Sequence, residues 1–264
     1  MNHTLLKIAA TVLHLPLMMG VGQSHAQRGG AGGTGGGGGC TVPASFTSRW
    51  FVGQSGNTCG GGSACTDGAK LDTNIDSISA NNAVQTTDAD RPVFHTAQIN
   101  GQPAATYSGA QWLQFTEFLG STTPFTMYAV INPTASVGNN AFVGSWNNNA
   151  NPEWRLNTDF GQELLSAQVD SIGNGATAIT GWTGVVVMYT PDTGNWTFEI
   201  CSGGTCSLDN NGTHSLTFGH GIDAIGTGSG LFDAFQGKIA EVGVRSGATD
   251  DTGIGSYLHC QFNL

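Results

Sequence analysis

"GVVVMYTPDTGNWTFEIC" (Gly184–Cys201) decides the fold class. Its first part, Gly184–Thr190, is an apolar run rich in β-branched residues, and its last part, Asn195–Cys201, alternates polar with apolar types. Both are strand signatures. Between them, Pro191 presets φ for a turn and Gly194 stands where φ can become positive. The stretch reads as two strands joined by a tight turn.

The same signature recurs outward in both directions. Upstream lie "FTMYAVIN" (Phe125–Asn132), "NAFVGSW" (Asn140–Trp146), "EWRLN" (Glu153–Asn157) and "LLSAQV" (Leu164–Val169). Downstream lie "HSLTFG" (His214–Gly219) and "GKIAEVGVR" (Gly237–Arg245). Gly, Asn, Asp or Pro bounds each of them. No segment repeats apolar residues at helical spacing over a useful length. The best helix candidate is "TDDTGIGSYLHC" (Thr249–Cys260), which Asp250 or Asp251 would cap. The expectation is an all-β chain: a two-sheet antiparallel sandwich or jelly roll, stapled by disulfides, with at most a short C-terminal helix.

Three regions follow one another along the chain. Residues 1–26 carry Lys7, an apolar run from Ile8 to Val21, and a small-residue end at Ala26. That order is the pattern of a secretory signal peptide cleaved near Ala26. The run falls short of the roughly 20 residues that a membrane-spanning helix needs. "RGGAGGTGGGGGC" (Arg28–Cys40) is almost devoid of side chains, so residues 27–39 read as a flexible linker and the folded domain as residues 40–264.

Six cysteines in a secreted chain read as a disulfide framework. "CGGGSAC" (Cys59, Cys65) and "CSGGTC" (Cys201, Cys206) each enclose a glycine-rich turn and can close on themselves. Cys40 and Cys260 are left to join the two ends of the domain. Zinc is the competing reading, but the spacings are not the two-residue gaps of zinc ribbons.

Composition narrows the partners. The formal charge is −10, and one positive charge leaves with Lys7, giving −11. The remaining Lys and Arg are scattered singly, so the chain has no basic stripe for nucleic acid or an anionic membrane surface.

"DADRPVFHTAQINGQPAATYSGAQWLQF" (Asp88–Phe115) resembles a recurring segment of concanavalin A-like, laminin-G-like jelly-roll modules. "PFTMYAVINPT" resembles their next strand, and "GWTGVVVMYTPDTGNWTFEI" resembles their hairpin. "FQGKIAEVGVRSGATDDTGIGSYL" resembles their closing strand and short helix. The resemblance runs from about Trp50 to the C-terminus. It implies that the first and last strands lie together, in agreement with a Cys40–Cys260 staple. It leaves function open, because the fold carries lectins, polysaccharide enzymes and adhesion modules alike.

Catalytic signatures are missing. The superfamily's hydrolases carry a Glu-x-Asp-x-x-Glu strand. None of Glu117, Glu153, Glu163, Glu199 and Glu241 stands in that pattern, and Glu241 reads as structural. The Arg-x-Glu-Leu and Gln-x-His strands of the alginate-lyase branch are absent too. No G-x-S-x-G elbow appears, and His220 with Asp223 reads as a turn's own hydrogen bond.

For binding, "SWNNNANPEWR" (Ser145–Arg155) offers what a sugar requires: aromatic faces and hydrogen-bonding side chains. The candidates are Trp146, Asn147, Asn148, Asn149, Trp154 and Arg155, set against the plain reading of Trp154 as a core residue. Trp50, Trp112, Trp182 and Trp196 read as core. Calcium is a further theme of such modules, and Asp88 and Asp90 before a turn and the oxygen-rich loop expected at Asp209–Asn211 are its candidate sites. These readings converge on a secreted, non-catalytic module binding carbohydrate or a cell-surface glycoconjugate. A structural or adhesive surface protein of a coat, filament or phage-like appendage, working through protein contacts, comes second. An unrecognised polysaccharide-cleaving enzyme comes third.

Overall fold

The computed structural model describes residues 40–118, 123–134, 140–144, 153–159, 162–168, 173–174, 176–213, 222–227, 234–248 and 252–264. In chain order the first strands are β1 (Ser48–Phe51), β2 (Thr58–Cys59), β3 (Ser63–Ala64), β4 (Leu71–Asn74), β5 (Ala83–Val84) and β6 (Val93–Ile99). Next come β7 (Gln102–Ser108), β8 (Leu113–Phe118), β9 (Phe125–Pro133), β10 (Asn140–Gly144), β11 (Glu153–Asp159) and β12 (Gln162–Gln168). The last are β13 (Gly173–Asn174), β14 (Thr183–Thr190), β15 (Asn195–Ser202), β16 (Thr205–Thr213), β17 (Ile222–Ile225) and β18 (Gln236–Ser246). The helix α1 spans Thr252–Phe262.

The strands form two antiparallel sheets. Sheet A runs β16-β15-β14-β9-β18-β7-β6, with β1 pairing β18 beyond the end of β7. Sheet B runs β13-β12-β11-β10-β17-β8-β5-β4-β2-β3. The all-β, two-sheet fold expected from the strand pattern is therefore the observed one. The hairpin read from Gly184–Cys201 is the β14–β15 pair, turning at Gly194 with φ +67°. The strand expected at His214–Gly219 lies outside the described residues.

Sheet A is covered on both faces, and this explains its apolar runs. Along β9, Phe125, Met127, Ala129 and Ile131 join the core between the sheets, while Tyr128 and Val130 join a second core on the opposite face. In β14, Val185, Val187 and Tyr189 face one way, and Val186 and Met188 the other. A strand buried on both sides loses the polar–apolar alternation of a half-exposed one. β15 keeps it, with Trp196 and Phe198 in the core and Asn195 exposed.

The second cover is α1 together with the segment at Cys40–Phe46. Ile254, Tyr257, Leu258 and Phe262 form the helix's apolar face. Gly255 lets it lie close to β16: an added Cβ would sit 2.8 Å from the Thr205 Cα and 2.9 Å from the Cys206 nitrogen. The helix ends at Asn263, whose φ of +62° and bond from its N–H to the His259 carbonyl (2.8 Å) make it a left-handed stop. The proposed caps Asp250 and Asp251 lie outside the described residues.

One polar cluster pins this layer. Arg49 on β1 grips Glu241 on β18 with two bonds of 2.9 Å, from Nε and Nη2. Arg49 Nη2 also donates to the Tyr257 hydroxyl at 2.7 Å, and that hydroxyl lies 2.8 and 2.9 Å from the two carboxylate oxygens. The Tyr128 hydroxyl donates to the same carboxylate. Glu241 has no exposed surface, so it is structural, as its place in the sequence suggested. Burial and the Glu241 carboxylate both push the Tyr128 and Tyr257 phenols well above their ordinary range, which keeps them as donors.

All three disulfides pair as the spacing suggested: Cys40–Cys260, Cys59–Cys65 and Cys201–Cys206. The first closes a loop with a sequence separation of 220. In the chain-entropy model such a loop contributes about 5 kcal/mol. Trp50, Trp112 and Trp196 are buried as expected, while Trp182 is half-buried at the edge of the second core. Asp209–Asn211 lie in β16, not in a loop. Phe198 pairs with Asn210 and Glu199 with Leu208, so Asp209 is the extra residue of a β-bulge.

Glu241→Gln leaves the buried Arg49 charge uncompensated. It should lower unfolding free energy by about 3–5 kcal/mol in a urea titration. Arg49→Met combined with Glu241→Leu should cost far less than Glu241→Gln alone, because both charges leave the interior together.

Candidate functional site

The outer surface of sheet B carries a groove built on β5 and β8. One wall is Asn82, the last residue of the turn Asp76–Asn82, and a single carboxylate shapes that turn. Asp76 accepts the N–H groups of Arg49 (3.0 Å), Ile78 (2.9 Å), Ser79 (3.2 Å) and Asn81 (3.3 Å), together with the Ser79 hydroxyl. Asn82 Oδ1 closes the turn by accepting the Asp76 N–H at 3.0 Å. Asn81 then ties the wall to β8. Its Oδ1 accepts the Thr116 N–H at 2.8 Å and its Nδ2 donates to the Thr116 carbonyl at 2.9 Å, as a neighbouring strand would.

The opposite wall is Gln85–Thr86. Gln85 is buried, and its Oε1 accepts the Thr87 N–H at 2.9 Å. Arg91 lies behind this wall, donating to the Gln85 carbonyl (2.9 Å) and the Thr86 carbonyl (3.1 Å). Between the walls is an open space of about 360 Å³ lined by Asn82, Val84, Gln85, Trp112, Gln114 and Thr116. Thr86 and Phe115 complete the lining, so amides, hydroxyls and apolar surface meet there without a charged side chain. Val84, 38% exposed, is the apolar floor. Trp112 is only 8% exposed, yet its remaining edge belongs to the groove.

Register extends the site. Thr73, Val84, Gln114, Ala224 and Gly144 are directly opposed across five strands, so they form one row across sheet B. The row passes through the groove, continues through the buried Ala224, and ends at the buried Gly144, the residue before Ser145–Arg155.

Trp146, Asn147, Asn148 and Asn149 lie outside the described residues. Trp154 and Arg155 lie in β11: Trp154 is opposite Val143 and Ala167, and Arg155 is opposite Ala141 and Ser166.

The calcium candidates do not converge. The Asp88 carboxylate pairs with Lys70 at 2.5 Å and Arg91 at 3.3 Å, and the bond from Lys70 leads the effects that hold it below the ordinary carboxylate range. Asp90 closes the same short turn and gives its carbonyl to the Trp112 N–H at 3.0 Å. Asp209 belongs to sheet A, where its Oδ2 accepts the Ala176 N–H at 2.7 Å. Among the described residues, no group of three or more His, Cys, Asp or Glu is placed to hold a metal ion.

No family profile and no curated protein matches this sequence. Solved structures do share the fold. A variant GH54 α-L-arabinofuranosidase soaked with 4-nitrophenyl α-L-arabinofuranoside superposes with a TM-score of 0.60 and 15% identity, over 74% of this chain and 52% of that one. An arabinofuranosidase complexed with arabinofuranosyl-α-1,2-xylobiose gives 0.59 and 13%, over 84% and 60%. Domain 4 of a GH43 extracellular arabinanase from Geobacillus stearothermophilus, in complex with arabinotriose, gives 0.52 and 16%, over 80% and 97%. The chain thus spans between half and two thirds of the arabinofuranosidases and nearly all of the arabinanase domain. The fold is a β-sandwich shared with proteins that act on or bind carbohydrate.

The wall's dependence on Asp76 has a pH signature. Burial pushes this carboxyl up, but the Ser79 hydroxyl and the backbone N–H groups outweigh it and hold it below the ordinary carboxylate range. Its contribution to stability is therefore complete above the unfolded-state value near ~3.9 and is lost as pH falls through the lower folded value. Asp76→Asn should lose about 1–3 kcal/mol at pH 7. It should also flatten the fall in stability below about pH 4, read by urea unfolding across a pH series.

Proposed function

We propose that the chain is a secreted carbohydrate-binding module whose ligand lies across sheet B, from the Val84–Gln114 groove toward Ser145–Arg155. The observation that carries this is the cross-strand row from the groove to Gly144. It brings the amide-rich groove to the point where the chain enters the segment holding Trp146 and three consecutive asparagines. Sugars are held by apolar faces against their C–H surfaces and by amides and hydroxyls on their hydroxyl groups. The groove supplies both kinds of group in one place. The fold's kinship with an arabinotriose-binding domain and with arabinofuranosidases supports the choice of ligand class. The kinship to laminin-G-like modules belongs to the same proposal.

Secretion rests on the signal-like residues 1–26 and on three disulfides, which persist in oxidising compartments. Among the described residues, no helix is long and apolar enough to cross a membrane. With an overall charge of −10 and no charge in the groove, the reading favours neutral over anionic glycans.

The test is a glycan array on the full secreted chain, with calcium and with a chelator, followed by titration of the best neutral ligand. Selective binding unaffected by chelation is expected. Gln114→Ala and Trp146→Ala should each weaken it by about tenfold, the worth of one good contact, with melting temperature unchanged. A blank array would overturn the reading in favour of a protein-binding surface module. Because two of the fold's relatives are glycosidases, the bound ligands are also assayed for released reducing ends, whose appearance would replace binding by catalysis.

A further inference from the structure

The outer face of sheet A holds a second feature that the groove does not use. The triplets Asn195-Trp196-Thr197 and Asn211-Gly212-Thr213 both match the acceptor pattern for N-linked glycosylation. They lie on β15 and β16 in direct register: Asn195 faces Thr213, Trp196 faces Gly212, and Thr197 faces Asn211. Because strand side chains alternate, each triplet turns its asparagine and threonine to one face and its middle residue to the other. Trp196 is 5% exposed in the core, and Gly212 makes room for it, since an added Cβ would lie 2.5 Å from the indole ring.

Packing accounts for the middle residues, and Asn195, though exposed, has its Oδ1 engaged by the Thr213 hydroxyl at 3.0 Å. Packing does not account for Asn211. Asn211 is exposed, and among the described residues no hydrogen bond or ion pair engages its side chain. It sits on the outermost strand of sheet A among the described residues, with Asp209 two positions before it. Beside it, a groove of about 450 Å³ includes Met188, Asn195, Thr197, Glu199 and Leu208 in its lining. Leu208, at 59%, is the most exposed large apolar residue described.

We propose that Asn211 is an N-glycosylation site whose glycan lies over Thr197 and Leu208, and so blocks pairing of another strand along β16. In the transfer, Asn211 Nδ2 attacks the anomeric carbon of an oligosaccharide carried on a lipid pyrophosphate. The new C–N bond forms as the C–O bond to phosphate breaks. The lipid pyrophosphate leaves with the electron pair, and Nδ2 gives up one proton. Exposed edge strands invite strand addition, and a bulky polar cover is one way to prevent it.

The inference rests on entry into a secretory pathway, which is part of the proposed function, so the experiment separates the two. The full chain is expressed in a yeast secretory host in two forms, one with its own N-terminus alone and one fused behind the host's leader. Both are digested with peptide-N-glycosidase, which leaves aspartate where a glycan was attached, and are read by mass spectrometry. Conversion of Asn211 in the leader-fused chain, abolished by Asn211→Gln and retained in Asn195→Gln, is the expected result. A leader-fused chain recovered from the medium with Asn211 unmodified overturns the proposal. Conversion in that form only would uphold the site and sink the secretion reading.

Discussion

The Arg49–Glu241 pair, with the Tyr128 and Tyr257 hydroxyls closing around it, is the interaction on which the rest of the structure depends. It joins β1, β9 and β18 of sheet A to α1, elements from the two ends and the middle of the chain. A buried ion pair is not in itself a source of stability, because desolvating both charges offsets their attraction. Its value here is specificity. Arg49 sits in a site where only one strand register presents a carboxylate and two phenols, so a slip of β1 or β18 would strand a charge in the interior. The Phe51 and Tyr257 rings, 4.9 and 5.6 Å from the guanidinium carbon, complete the enclosure.

That anchoring divides labour between the sheets. Sheet A has both faces committed over most of its area, to the inter-sheet core on one side and to α1 with the N-terminal segment on the other. Sheet B leaves its outer face open beside β5 and β8, where the groove lies, while β10 and β17 are buried along their whole length. Asp76 links the two roles. It accepts the Arg49 backbone N–H beside the buried pair and organises the wall of the groove. Support of this kind holds Asn82 and Thr116 in fixed positions beside the groove.

What was legible in the sequence followed from local chemistry. The β14–β15 hairpin announced itself through Pro191, Gly194 and the in–out alternation of Asn195–Cys201. The short glycine-rich loops identified two disulfides, and elimination identified the third. The groove was not legible, because residues 82–86 and 112–116 meet only through the pairing of β5 with β8. Asn81 reaching Thr116 across 35 residues leaves no local trace. Trp112 read as core because it mostly is, and composition cannot reveal which edge of a buried ring stays open. Asp209–Asn211 misled for a related reason. Polar residues at an exposed strand look like a loop when the bulge that accommodates them is invisible.

The Cys40–Cys260 bridge has a mechanical meaning. Cys40 lies eight residues before β1 begins at Ser48, and Cys260 lies within α1. Tension between these two points passes through a covalent bond and bypasses the hydrogen bonds of both sheets. Tension between Cys40 and a point on sheet B takes another route. It must cross from β1 into its neighbours, where the antiparallel ladder and the Arg49–Glu241 grip resist it together. The bridge thus takes load applied between residues 40 and 260 off the non-covalent framework of the two sheets.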